Sequence, residues 1–220
     1  MPAMYLIGDS TVDDFRDPLR GWGFSMPELV AEDVTVHNHA KAGRSARSFL
    51  LEKRFEPVEQ QLQPDDILLM QFGHNDIKTD PNIHTDPETS YPEHLRLYGE
   101  AALKKGALPV LITPVSLRKY DENGQLIHWH GKYPEAVHRL AKETTWPMVD
   151  LEQLSFDLFL QLGREETATL FVRLAPGEHP DYPEGRDDEC HFNLKGSRAM
   201  ALLVASALKK DPRCRRYFRP

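Results

Sequence analysis

Four short blocks of the chain carry residue types that do chemistry together. The first is Gly8-Asp9-Ser10, which closes the apolar run of "YLIGDST", and the second is Gly43 in "HNHAKAGRS". The third is Gly73-His74-Asn75-Asp76. The fourth, "DDECH", sets Asp188 and His191 three residues apart, near enough in a turn for carboxylate and imidazole to meet. A serine hydroxyl is a poor nucleophile until an imidazole takes its proton, and the imidazole works best when a carboxylate fixes its tautomer. Ser10, His191 and Asp188 are the candidates for those roles. Attack at an ester carbonyl also needs donors aimed at the developing oxyanion. The backbone N–H groups of Ser10 and Gly43 and the side-chain amide of Asn75 are the candidates there. Gly43 has no Cβ to hold a ligand away, and it precedes a predicted helix whose N-terminal amides favour negative charge.

Each block also has a plainer reading. Ser10 can cap a turn, Gly43 can serve a positive φ, Asn75 and Asp76 can form an Asx turn, and His191 is one of ten histidines. "HWH" at His128 to His130 alternates like an extended loop and lacks further placed ligands, so no metal site is expected there. "GRSAR" is not a nucleophile elbow, because Arg47 stands where that motif needs glycine. Neither a GxGxxG nor a GxxxxGK[ST] pattern occurs, so nucleotide phosphate binding has no support.

The elements that must hold these blocks follow from hydrophobic patterning. Short apolar runs at Met4 to Ile7, Val34 to His37, Ile67 to Phe72, Leu108 to Thr113 and Met148 to Leu151 alternate with amphipathic segments. That is the pattern of βαβ units and a mainly parallel sheet. "ILLMQF" is nearly unbroken apolar, as a strand covered on both faces should be. Helices are predicted over Phe24 to Glu32, Ser45 to Gln61, Ser90 to Lys105, Tyr133 to Thr144, Leu151 to Leu162 and Asn193 to Lys209. Gly106 and Pro114 punctuate the fourth strand. "LAPGEHPDYPEGRDDECH", with three prolines and two glycines, reads as a long loop too broken for helix or strand. Ligands of open α/β sheets bind beyond the carboxyl ends of the strands, so the first three blocks are expected on one rim.

The chain has 220 residues, 40% of them apolar, and a formal net charge of −7. That suits one domain spanning 1–220, long enough to bury roughly 70% of its unfolded surface. Interspersed charges give neither a basic stripe for nucleic acid nor a polybasic patch for a membrane; a neutral or cationic partner suits the surface better. Cys190 and Cys214 have no scaffold-like spacing and are expected as free thiols, Cys190 filling space. No leader-like segment precedes the first strand and no window of about eighteen apolar residues occurs, so a cytoplasmic location is expected. Oligomeric state is not legible.

Together the blocks resemble the SGNH or GDSL-type esterases and lipases, in which a GDS block carries the nucleophile, later blocks a Gly and a GxND Asn, and a late DxxH block the acid and base. Gly8-Asp9-Ser10, Gly43, Gly73-His74-Asn75-Asp76 and Asp188-Glu189-Cys190-His191 stand in that order. "GDSTV", "NHAKAGRSARSF", "QFGHND", "HGKYPEAVHRLA" and "CHFN" are further similar to the rhamnogalacturonan acetylesterases, over nearly the whole length. The resemblance implies a three-layer α/β/α flavodoxin-like fold with five parallel strands, no cofactor and no metal. It implies removal of acetyl groups from pectin-derived saccharides through an acetyl-Ser10 intermediate. Other acyl hydrolases of the family (acetylxylan esterase, lipase, thioesterase) and a non-catalytic carbohydrate-binding module are the alternatives. Asp188 has the DxxH spacing, with Asp187 the fallback acid. His74 is a candidate substrate contact, and Trp22, Trp129 and Tyr182 offer rings that could stack on a sugar.

Overall fold

The computed structural model describes residues 1–219. Its central sheet has five parallel strands in the order β2-β1-β3-β4-β5: β1 Ala3–Gly8, β2 Thr35–Asn38, β3 Ile67–Gln71, β4 Leu108–Ile112 and β5 Met148–Val149. This is the flavodoxin-like order, so the expected α/β architecture is what the chain adopts.

Side chains alternate across a strand, so each strand feeds two cores. Met4, Leu6, Ile67, Leu69, Val110 and Ile112 face one layer, built from α1 (Trp22–Ser25), α6 (Leu151–Ala168) and α7 (Leu194–Leu208). Tyr5, Ile7, Leu68, Met70 and Leu111 face the other, built from α2 (Ala46–Leu51), α3 (Glu56–Gln61), α4 (Ser90–Lys104) and α5 (Tyr133–Thr144). Burial on both faces is why the central strands read as continuous apolar runs.

Four expectations are corrected. The helix predicted over Ser45 to Gln61 is two, because Lys53 takes φ +58° and Pro57 opens the second. The first helix is one turn, Trp22–Ser25, continued as a 3-10 turn through Pro27. The segment read as a loop before His191 is half strand: β7, Arg186–Phe192, pairs antiparallel with β6, Phe171–Leu174, in a ribbon outside the main sheet. Pairing with a neighbour, not its own pattern, makes "RDDECHF" extended. The sixth helix runs past the predicted Leu162, leaving helical geometry at Gly163 and resuming to Ala168.

Candidate active site

The turn after β1 begins at a close approach between β1 and β3. A Cβ on Gly8 would stand 2.5 Å from the Gln71 carbonyl oxygen of neighbouring β3, so only glycine fits. Asp9 then folds the chain over: its Oδ1 accepts from the Thr11 backbone N–H at 2.9 Å and hydroxyl at 2.8 Å. Gln71 donates to that hydroxyl at 2.5 Å and accepts from the Trp22 indole N–H at 2.7 Å. Burial pushes the Asp9 carboxyl up, against the pull of the Thr11 donors, and its Oδ2 is buried without a hydrogen-bond partner among the described residues. This network fixes Ser10 at the rim, where its side chain is largely covered. Among the described residues, neither its hydroxyl nor its backbone N–H is engaged by another group.

The Gly43 loop is tied to that turn. Lys41 N–H donates to the Gly8 carbonyl at 2.9 Å, and Ala42 N–H to Asp13 Oδ2 at 2.8 Å. Gly43 has φ +78°, and a Cβ there would meet no protein atom within 4 Å. The position therefore needs glycine for its backbone conformation and leaves open space above it. Gly43 N–H also has no acceptor among the described residues. The expected help from the following helix is corrected: Ala46 N–H, at its start, is taken by Asp76 Oδ1 at 3.0 Å. Asn75 is buried, with Oδ1 accepting from Lys78 Nζ at 2.7 Å and Nδ2 donating to the Arg44 carbonyl at 3.1 Å. A carboxamide has two N–H groups, so one remains to spend. Asp76 is structural. It accepts from Ala46 N–H, the Gly73 N–H and the Thr85 hydroxyl, and burial pushes its carboxyl up to about 7.

The ribbon brings Asp188 and His191 together through a bulge. Phe171 pairs with Phe192 and Arg173 with Asp187, leaving Val172 opposite Asp188, Glu189, Cys190 and His191. Residues three apart on a regular strand point to opposite faces; the bulge brings these two together. Asp188 Oδ1 accepts from the N–H groups of Cys190 and His191, each at 2.8 Å, and Oδ2 meets His191 Nδ1 at 2.9 Å. The Arg186 guanidinium, unforeseen in the sequence, donates to the same Oδ2, its Nε at 2.7 Å. Burial alone would raise the Asp188 carboxyl; the His191 hydrogen bonds and the other donors overcome it and hold the group well below the usual carboxylate range. Asp187 points elsewhere, to Arg118 at 2.9 Å and Arg173 at 3.3 Å, and is largely exposed. Of the two adjacent acids, Asp188 is the one that meets the His191 imidazole. Phe15 sets its ring edge-on to His191 at 6.0 Å, and Arg20 N–H bonds the Phe192 carbonyl at 2.8 Å, so the segment after Ser10 lies against the bulge.

His74 is half-buried at the rim. Burial, then His130, holds its imidazole down to about 3, and its Nε2 faces Cys190 Sγ at 3.2 Å. Of the rings considered for sugar stacking, Trp22 is fully buried on Gln71, Trp129 is exposed with Lys119 Nζ 4.7 Å above it, and Tyr182 carries the Arg186 guanidinium at 4.8 Å. The "HWH" histidines divide: His128 stacks on Phe156 at 3.9 Å and His130 is buried. Asp188, Cys190 and His191 are one group among the described residues with donor atoms spaced to hold a cation. Arg186 already places a positive charge on its carboxylate, so this cluster suits a proton-transfer pair better. Cys190 and Cys214 are free thiols.

A buried serine on a tight turn with its own N–H unspent, a Gly43 N–H and an Asn75 amide N–H left over on the neighbouring loops, and a carboxylate-held imidazole are together groups that can carry out acyl transfer. Comparison with known proteins agrees. Residues 6–199 match the GDSL-like lipase/acylhydrolase family. The chain is 41% identical over 210 residues to rhamnogalacturonan acetylesterase RhgT of Bacillus subtilis (strain 168), across 94% of this chain and 89% of that one. It is 37% identical to the probable rhamnogalacturonan acetylesterase YesY of the same organism, across 94% and 92%. The crystal structure of YxiM, also from Bacillus subtilis, superposes with a TM-score of 0.80 at 27% identity; it covers 95% of this chain, which spans only 56% of that one. A catalytic mutant of Axe2, an acetylxylan esterase from Geobacillus stearothermophilus, shares the fold at TM-score 0.66 and 17% identity, across 95% of this chain and 93% of that one. With the match running from the first strand into the last helix, the chain belongs to the GDSL-like lipase/acylhydrolase family and is a carboxylic ester hydrolase.

Proposed function

We propose that the chain is an acetylesterase acting on acetylated pectin-derived saccharides of the rhamnogalacturonan type, with Ser10 as nucleophile, His191 as base and Asp188 as its orienting acid. The observation that carries the assignment of roles is the 2.9 Å pair of His191 Nδ1 and Asp188 Oδ2. It commits the Nδ1 proton to the carboxylate and leaves Nε2 as the basic edge. Ser10 Oγ gives its proton to His191 Nε2 as it attacks the acetyl carbonyl. The oxygen that becomes negative is received by the N–H groups of Ser10 and Gly43 and the spare N–H of Asn75. His191 then passes the proton to the departing sugar oxygen, leaving acetyl-Ser10; water repeats the sequence and releases acetate. No metal or cofactor is needed for these steps.

The substrate class rests on the two Bacillus subtilis relatives and on the surroundings of the ribbon. A cavity of about 510 Å³ lined by Arg173, Leu174, Ala175, Glu184, Arg186 and Asp187 lies beside the bulge. Its walls are mostly charged, which suits a hydroxyl-rich ring better than a long acyl chain. Acetate release from a panel of acetylated pectic and xylan oligosaccharides, followed by mass spectrometry, tests this. Faster turnover of the pectic set is expected. Preference for the xylan set, or for long-chain esters over p-nitrophenyl acetate, would overturn the substrate. A Ser10→Ala protein that still released acetate at the wild-type rate would overturn the mechanism.

A further inference from the structure

Beside the proposed acid–base pair runs a line of buried and half-buried polar groups that the mechanism above does not use. It begins at Glu152 on the first turn of α6, whose carboxylate is nearly inaccessible and whose Oε1 lies 3.4 Å from Nδ1 of His130. His130 is wholly buried, and its Nε2 lies 3.4 Å from Nδ1 of His74. His74 Nε2 in turn lies 3.2 Å from Cys190 Sγ.

The proton positions along this line follow from one end. An ionised carboxylate only accepts, so His130 carries its proton on Nδ1 and offers a lone pair at Nε2. His74 must then donate from Nδ1, which leaves its Nε2 as an acceptor, and the Cys190 thiol closes the line as donor. Each link points the same way. His74 is held neutral, and burial, followed by the charge of Asp188, raises the Cys190 thiol well above its ordinary range, so the sulfur keeps the hydrogen it donates.

The line joins parts of the site that the sheet does not connect. Cys190 sits inside the bulge, between Asp188 and His191, and His74 adjoins Asn75. We propose that Glu152, His130, His74 and Cys190 form a one-directional hydrogen-bond chain that positions the bulge carrying Asp188 and His191 against the loop carrying Asn75. These are positioning residues, acting on turnover through the groups they hold. The inference rests on the reading of Asp188 and His191 as the acid–base pair.

Two measurements test it. In wild-type protein, long-range ¹⁵N–¹H spectra of the imidazoles should show His74 and His130 both protonated on Nδ1; an Nε2-protonated His74 overturns the chain. In p-nitrophenyl acetate hydrolysis, Cys190→Ala should lower kcat about tenfold with KM within about twofold, as expected when a reacting group is held less well. Cys190→Ser, which still donates, should stay within about threefold of wild type. His130→Gln, which can donate at one end and accept at the other, should likewise exceed His130→Phe. Wild-type kcat in folded Cys190→Ala, or equal losses in Cys190→Ala and Cys190→Ser, would overturn the proposal. Full activity in Ser10→Ala would instead identify the catalytic reading as the fault.

Discussion

Asp188 Oδ2 is shared between His191 Nδ1 and the Arg186 guanidinium, while Oδ1 takes two backbone N–H groups. A carboxylate so surrounded has one rotamer, and that fixes which imidazole nitrogen bears hydrogen. Asp188→Asn would present an N–H to Nδ1 and favour the wrong tautomer; kcat should fall on the order of 10⁴-fold. Asp187→Asn should cost less than about tenfold, since that side chain faces Arg118 and Arg173. Comparable losses in the two variants, measured by steady-state kinetics, would contradict the assignment. Ser10, Gly43, Asn75, Asp188 and His191 were legible as candidates because each sits in a compact block of residue types whose chemistry is complementary. Arg186 was not, although a signal existed: on a strand, residues two apart share a face, so an arginine two before the acid is placed to reach it. Recognising that required seeing a strand in a stretch full of proline and glycine. Glu152 and His130 leave no such trace, since they meet only through tertiary packing.

The loops after β1, β2 and β3 each close on a buried acceptor, Asp9, Asp13 or Asp76, and they carry the unspent donors, the backbone N–H groups of Ser10 and Gly43 and the second side-chain N–H of Asn75. Gly43 shows how much rides on one conformation. With φ +78° and no protein atom near a would-be Cβ, Gly43→Ala should cost roughly 1–2 kcal/mol of stability by denaturant unfolding through backbone strain alone. It should also lower kcat, as the added methyl points into the space left for the ligand; unchanged stability and turnover would remove Gly43 from the site. His74 gives the β3 loop a pH dependence. Its imidazole is held at about 3 in the folded chain against an ordinary 6.5, so as pH falls the unfolded chain binds the proton first. Its contribution is complete above about pH 6.5 and is lost as pH falls toward 3, at up to about 1.4 kcal/mol per pH unit. Thermal midpoints of His74→Gln should therefore fall less steeply between pH 7 and 4 than those of wild type; parallel curves would contradict the burial argument. The parallel strands were legible from their apolar runs. The β6–β7 ribbon was not, because "RDDECHF" lacks alternation and becomes a strand by pairing with Phe171–Leu174.

For the whole molecule, strand order explains where chemistry sits. The chain moves from β1 outward to β2, then back across to β3, so the loops of the GDS and GHND blocks flank the point where the order reverses. In the proposed site the sheet gathers Ser10, Gly43 and Asn75, and the outlying ribbon brings the Asp188–His191 pair, in sequence some 180 positions later, to the same rim. The order of blocks along the chain was legible from the sequence. Their convergence needed the register of β1 on β3 and the bulge opposite Val172, which are long-range pairings. The most direct test of this convergence is the rate at which a fluorophosphonate modifies the protein, with the labelled peptide located by mass spectrometry. The account predicts a single adduct on Ser10, absent in Ser10→Ala and formed at least about 10²-fold more slowly in His191→Ala. Labelling of His191→Ala at the wild-type rate, or an adduct on another residue, would contradict it.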